Sequence, residues 1–213
     1  MQVTDFKDRS QLDNKYTAEI AELVKQLSGA DKVVILSPPV LRQNKEEPGA
    51  SYQPRAKDVH TDYSPGNAEW SAQHRAGQEH LSSYSRVVFI NVWRCISSPP
   101  QDWPLAMVDA RTVENDEGVP YPMIIVEKIP DELPIRPLPF TPIEGANFHY
   151  KDRHEWRYFS NMTKDEVLAF KLFDSDKDKG NKSWRCPHTA FFDDREGTIP
   201  RESVEVRTIC YYN

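Results

Sequence analysis

His60 and Asp62 stand two residues apart in the run Val59-His60-Thr61-Asp62-Tyr63. In an extended strand residues i and i+2 project from the same face, so an imidazole nitrogen and a carboxylate oxygen would aim at a common point. That pair suits two ligand positions of a divalent metal. A third ligand of the right type lies far along the chain, His188 in Pro187-His188-Thr189-Ala190-Phe191-Phe192. Two imidazoles and one carboxylate leave three coordination positions open, the arrangement that suits non-haem Fe(II). Arg201 follows His188 after twelve intervening residues, and Ser203 stands two further on. Alternation sets Arg201 and Ser203 on one face of the last strand, turned away from Val204. A guanidinium fork beside a hydroxyl can hold a carboxylate bidentately. His-x-Asp alone is a weak pattern; joined to His-x12-Arg-x-Ser it is far more specific.

Other residues are candidates for contact with a substrate or cosubstrate. Asn91 and Trp93 share a strand face, and Arg94 closes the same strand on the opposite side. Arg94 reads either as a ligand contact or as a structural ion pair with Asp109 or Asp102. Arg207 lies on the face of Arg201 and reads either as a second anion binder or as a partner of Glu205. Trp156 and Tyr158 alternate with His154 and could form an aromatic wall, although such a trio is more often core. His74 reads as a hydrogen-bonded core residue, His80 as exposed. Cys186 is near enough to His188 to approach a metal, but a small buried residue is the better reading.

These side chains need elements to position them. Leu12, Tyr16, Ile20, Leu23, Val24 and Leu27 form one apolar helical face, with Gly29 placed to end it. This predicts a helix over about 11–28. A weaker pattern predicts a second helix over 67–83, with Trp70, His74, Gly77 and Leu81 on its inner side. The rest reads as short strands between Pro-rich turns: Lys32–Leu36, Lys57–Thr61, Arg86–Trp93, Leu105–Asp109, Met123–Glu127, Phe148–Tyr150, Trp156–Phe159, Val167–Phe173, His188–Phe192 and Ser203–Tyr211. Many short strands of this kind predict a β-sandwich or barrel. Seven prolines crowd Val119–Pro142, which reads as a stiffened loop able to cover a site.

Composition narrows the chemistry. The chain has 213 residues, 17 prolines and only 8 glycines, a size that suits a single domain over 1–213. No two glycines approach within ten residues, so neither a G-x-G-x-x-G fingerprint nor a P-loop exists. A cofactor would be held by side chains. The net charge of −6 argues against nucleic-acid binding, which rests on a basic surface. Apolar runs of about four residues are far too short to span a bilayer, and MQVTDFKDRSQ is no signal peptide. Three cysteines without a C-x-x-C predict a reducing, cytoplasmic setting.

The segments ILSPPVL, VHTDYSPG, RVVFINVWR, PLAMVDAR, HEWRYFSNMTKDEVLAFKLFDSD, PHTAFFD and RESVEVR occur in that order. Together they resemble the hydroxylase/desaturase family of Fe(II)/2-oxoglutarate-dependent oxygenases. That family includes gibberellin desaturase, the 7α-cephem methoxylation component and the fungal aziridine-forming amino-acid oxygenase. Cys95 departs from it, standing where the family usually has proline. The resemblance implies a mainly β protein with a few packing helices, built as a double-stranded β-helix (jelly roll). It also implies Fe(II), 2-oxoglutarate and O₂ acting on a small specialised metabolite or amino-acid-like substrate, by hydroxylation, desaturation or oxidative cyclisation. On that resemblance His60, Asp62 and His188 are the iron ligands, and Arg201 with Ser203 holds the distal 2-oxoglutarate carboxylate. The alternative is a jelly-roll binding or partner subunit with a structural or vestigial metal site. A homodimer or a partner subunit is compatible with either reading; a membrane is with neither.

Overall fold

The computed structural model describes residues 5–43, 52–123, 143–180 and 182–213. Its first element keeps the predicted face. Leu12, Tyr16, Ile20 and Val24 are all buried, spaced by four throughout. Four residues overshoot an α-helical turn of about 3.6. The stretch Gln11–Tyr16 is wound as wider π-helix and α1 (Thr17–Ser28) as α-helix, which keeps the four side chains on one side. Gly29 ends the helix at φ +67°, a left-handed conformation that favours glycine.

Next come β1 (Lys32–Ile35), β2 (Val40–Gln43), β3 (Tyr52–Pro54) and β4 (His60–Thr61), then α2 (Pro65–Gln78) and the long β5 (Arg86–Cys95). They are followed by β6 (Leu105–Val108), β7 (Val119–Pro122), β8 (Glu144–Asn147), β9 (Trp156–Tyr158), β10 (Leu168–Asp174), β11 (His188–Ala190) and β12 (Glu202–Tyr212). The chain is thus mainly β with two helices. One six-stranded sheet runs β10-β5-β12-β2-β3, with β1 also paired to β12; the other runs β7-β8-β4-β11-β6-β9. Every pairing is antiparallel except β2 with β3.

The ladder between β5 and β12 is the spine of the first sheet, running from Ser203 opposite Cys95 to Tyr212 opposite Arg86. On its outer face Val88, Val92, Val204, Val206 and Cys210 pack with the buried face of α1. On its inner face Phe89 and Trp93 join Leu105 of the second sheet, Phe170, Leu172 and Trp184 in another cluster. A close approach in the second sheet depends on Gly145. A Cβ there would stand 2.8 Å from the Thr61 carbonyl oxygen, so glycine lets β8 lie against the two-residue strand that carries His60.

Several expectations need correction. The second helix begins at Pro65, with the Ser64 hydroxyl accepting from the Asn67 amide at 3.2 Å, and ends at Gln78. Its buried face is Asn67, Ala68, Ser71, Ala72 and Ala76. His74 is exposed and stacks on Trp70 outside. The small residues win the inner face because the helix must come close: the Tyr211 hydroxyl donates to the Ala72 carbonyl at 2.8 Å. The strand expected at Phe148–Tyr150 lies earlier, as β8; Phe148 still donates to Val59, but Tyr150 is exposed. Strands β2, β3 and β7 were not anticipated. Prolines 120 and 122 are tolerated because β7 is an edge strand. The expected strand Met123–Glu127 lies, beyond Met123, outside the described residues, as does most of the Pro-rich loop.

Ala72→Leu should destabilise the fold by about 1–3 kcal/mol through overpacking, whereas Trp70→Ala should change stability by well under that. Urea denaturation of both variants checks which face of α2 is the packed one.

Candidate metal centre

His60 sits in β4 and His188 in β11, directly opposite one another in the antiparallel pairing. Their rings lie 4.6 Å apart. Each ring is aimed by its own backbone: His60 Nδ1 contacts the Asp58 carbonyl at 2.8 Å and His188 Nδ1 the Cys186 carbonyl at 3.0 Å. A carbonyl can only accept, so each Nδ1 carries the proton and each Nε2 is a free lone pair, the form a metal requires. Cys186 therefore serves the site through its carbonyl. Burial pushes its thiol up to about 12, so it stays protonated.

Asp62 lies just past the end of β4, and its Oδ1 is 3.8 Å from His60 Nε2. The ligand atoms of His60, Asp62 and His188 all fall within 4.8 Å of one another. Burial alone would raise the Asp62 carboxyl, but the Arg207 guanidinium beside it holds it well below the usual carboxylate range. Burial pushes His188 down to about 4, which keeps it neutral. Asp62 Oδ2 is buried and has no hydrogen-bond partner among the described residues. Two imidazole nitrogens and an unpartnered carboxylate oxygen form a donor set that fits Fe(II) with open positions.

The carboxylate-binding candidates lie on the inner face of the first sheet. Arg201 is nearly buried, its guanidinium 5.6 Å from the Trp93 ring, and burial lowers it to about 10. Arg201 Nε and Ser203 Oγ are both buried without partners among the described residues. With Trp93, Phe170, His60, His188 and Glu205 in its walls, a narrow cavity of about 20 Å³ joins Arg201 to the histidines. The edge of Phe170 against His188, 4.7 Å between centroids, closes one side. A second, wider cleft of about 570 Å³ shares Arg42, Ala56 and His60 with this cavity and reaches Asp62, Arg207, Tyr121, Met123 and Ile143.

The remaining candidates divide. Asn91 is fully buried opposite Arg207 in the β5–β12 ladder, and neither polar atom of its side-chain amide has a partner among the described residues. Arg207 does not stand as a free anion binder; it bridges Asp62 at 3.1 Å and Glu205 at 2.5 Å. Arg94 points to the opposite face, donating to the Tyr16 hydroxyl at 3.2 Å and the Lys164 carbonyl at 2.6 Å. It anchors the N-terminal helix, as alternation requires. Trp156 packs with Val108, Val113 and Phe148, and Tyr158 is half exposed against Phe191. Both belong to β9, at the far edge of the second sheet, away from the walls of the cavity and of the cleft. His154 pairs with Glu117 at 2.7 Å. Two residues of the site escaped the sequence reading: Arg42, on a strand too short to stand out, and Glu205, considered only as a partner of Arg207.

Between the two β-sheets, His60, Asp62 and His188 thus form a candidate donor set of the two-histidine, one-carboxylate class. The family described as "Oxidoreductase/YMDC permease-like domain" matches residues 1–211. The Fe(II)/2-oxoglutarate-dependent dioxygenase nvfI of Aspergillus novofumigatus (strain IBT 16806) is 32% identical over 205 residues, 96% of this chain and 69% of that protein. The hydroxylase/desaturase CTB9 of Cercospora beticola is 30% identical over 231 residues, 99% of this chain and 67% of that one. Among solved structures, the iron and alpha-ketoglutarate-dependent endoperoxidase NvfI superposes with a TM-score of 0.80 at 30% identity, over 97% of this chain and 72% of that chain. The chain belongs to this family, the hydroxylase/desaturase group of Fe(II)/2-oxoglutarate-dependent oxygenases, and is an oxidoreductase of that class.

An amide buried without partners costs stability. Asn91→Val should therefore raise the stability of the ligand-free protein by about 1 kcal/mol or more, a rise of about 2–4 °C in Tm, while turnover falls. Calorimetry paired with a succinate assay checks this; a lower Tm would mean that the amide is satisfied within the protein.

Proposed function

We propose that this protein oxidises a small-molecule substrate with Fe(II), 2-oxoglutarate and O₂, holding the iron on His60, Asp62 and His188. The observation that carries this reading is the conjunction of two features in one buried space. Three ligand atoms lie within 4.8 Å of one another, and Arg201 lines one cavity with His60 and His188, its Nε and the nearby Ser203 Oγ both buried without partners among the described residues. When bound, Fe(II) with 2-oxoglutarate and O₂ supplies the oxidising power for breaking a substrate C–H bond.

The chain's own residues do the positioning. The two histidines present lone pairs fixed by backbone carbonyls. Asp62 brings one negative charge, which lowers the net charge of the metal without filling the site. Arg201 is suited to take the distal carboxylate of 2-oxoglutarate in a fork, with Ser203 donating its hydroxyl. A buried cation without a carboxylate partner is costly, so a dianionic cosubstrate relieves the protein as well as binding to it. Trp93 and Phe170 wall this side against water, and the cavity must widen as the dicarboxylate enters. The open cleft beside Asp62 is left for the substrate. Its lining mixes Tyr121, Met123 and Ile143 with Arg42, Arg55, Lys57 and Asn147, which suits a small metabolite that carries both apolar and polar groups. Hydroxylation, desaturation and ring closure then differ in how the substrate lies in that cleft.

The two sheets are read as the halves of a jelly roll and the whole chain as one catalytic domain. Three free thiols support a reducing, cytoplasmic setting. The intact donor set speaks against a partner subunit with a vestigial site, and light scattering tests for a homodimer.

Anaerobic addition of Fe(II) and 2-oxoglutarate to the apoprotein should give a weak visible charge-transfer band, absent from His188→Ala. No band, together with no succinate once O₂ is admitted, would sink the reading. Arg201→Ala should raise the KM for 2-oxoglutarate on the order of 10²-fold, the cost of losing one partner of a desolvated charge pair, and leave kcat much less affected. An unchanged KM would assign the cavity to something other than a keto acid.

A further inference from the structure

A continuous line of buried charge leads to Asp62 from outside the metal centre. Arg42 Nη1 donates to the Pro54 carbonyl at 2.8 Å, and its Nη2 donates to Glu205 Oε1 at 3.0 Å. Glu205 Oε1 also accepts from Arg207 Nη2 at 2.5 Å. The same Nη2 reaches Asp62 Oδ1 at 3.1 Å. Two guanidinium groups and two carboxylates balance in charge, and all four are largely buried. Such a line is a poor way to gain stability, because desolvating the ions offsets their attraction and apolar residues of similar volume would serve as well or better. Its geometry serves another end. Oδ1 of Asp62 is occupied by Arg207, whereas Oδ2 is buried and has no partner among the described residues.

We infer that Arg207, aimed by Glu205 and Arg42, is the positioning residue of the metal centre: by holding Asp62 through Oδ1 it fixes the orientation in which the carboxylate meets His60 and His188. This rests on the reading of His60, Asp62 and His188 as metal ligands. A carboxylate free to turn could take two metal positions and close one that the cosubstrate needs. Holding one oxygen fixes its plane. Arg207 also repels a nearby cation, so its place here is explained by geometry and not by attraction. One guanidinium nitrogen, Nη2, meets both carboxylates; lysine keeps a charged nitrogen donor but not the planar group that fixes where that nitrogen lies.

Co(II) titration of the metal-free protein, without 2-oxoglutarate or substrate, tests this through affinity and the visible d–d bands. The expected order of affinity is wild type above Arg207→Lys above Arg207→Gln, with a loss on the order of 10–100-fold for glutamine, the range typical of partners that orient metal ligands. The bands of Arg207→Gln should shift as Asp62 changes its mode of binding. Unchanged or tighter Co(II) binding with unaltered bands overturns the proposal, since a merely structural role would lower Tm alone. If Arg207→Gln does not fold, Arg207→Lys against wild type decides by the same two readouts. Failure of the wild-type protein to bind Co(II), or binding that survives His188→Ala, is a separate outcome: it overturns the assignment of the metal centre, and the role of Arg207 with it.

Discussion

The pairing of β5 with β12 is the constraint on which the rest of this structure depends. Because side chains alternate along a strand, a single register decides two things at once. Val204, Val206 and Cys210 go out to meet α1, and Ser203, Glu205 and Arg207 go in toward the site. A slip of one residue would put guanidinium and carboxylate groups against Leu12 and Ile20 and valines against the metal ligands. The apolar face of α1 therefore does more than cover a sheet. By accepting only the valine face of β12, it fixes which residues can line the cavity. Arg94 makes the same point from the opposite side, since its even position on β5 sends it to Tyr16 and Lys164 instead of the cavity.

Charge on the inner face follows a consistent plan. Arg42, Arg201 and Arg207 stand against Asp62 and Glu205, leaving one positive charge in excess among these five buried groups. The surplus sits at Arg201, whose ionisation is disfavoured by burial and opposed by Arg42. Asp62 and Glu205, by contrast, are held ionised by the arginines beside them against the effect of burial. The protein has thus neutralised the charges next to the histidines and left uncompensated the one set away from them. That pattern makes little sense for stability, where an unpaired buried cation is a defect. It makes sense for a site that waits for an anion. The hydroxyl of Ser203 and the amide of Asn91 are likewise buried without partners among the described residues, at the expense of the folded state.

How much of this was legible in the sequence depends on how local the signal is. His60 and Asp62 could be read because two-residue spacing encodes a shared direction, even though β4 turns out to be two residues long and Asp62 lies beyond it. Arg201, Ser203 and Arg207 could be read for the same reason. His188 needed the later residues to give it meaning. Long-range placement was not legible. Arg42 is carried by a four-residue strand next to two prolines, and nothing near it in sequence hints that it meets Glu205, 163 positions away. Periodicity in α2 was misleading, since it ranked Trp70 and His74 above alanines. A helix forced close to Tyr211 selects for small side chains, and that is a tertiary demand. Trp156 and Tyr158 alternate as a wall should, but the strand that carries them is an edge strand, and edge position leaves no trace in a local pattern.

The two halves of the site rest on very different supports. Ser203, Glu205 and Arg207 are borne by the longest ladder in the described structure, with Arg201 just ahead of it, whereas His60 and His188 sit on strands of two and three residues in the other sheet. Short strands hold few ladder hydrogen bonds, and regions of that kind open at lower cost than central ones. Contacts that tie them and their flanks to the first sheet include the Arg207–Asp62 ion pair, the ring of Phe170 against His188, Tyr63 against Phe89 and the Cys186 amide donating to the Lys171 carbonyl. A metal bound to both histidines and Asp62 would join β4 to β11. A dicarboxylate reaching from that metal to Arg201 would join one sheet to the other. Ligands that bind only the folded form stabilise it in proportion to their occupancy. In this architecture the gain would fall on the weakly held strands and not on the ladder. Loading would thus steady the half that carries His60 and His188 more than the half that carries the ladder.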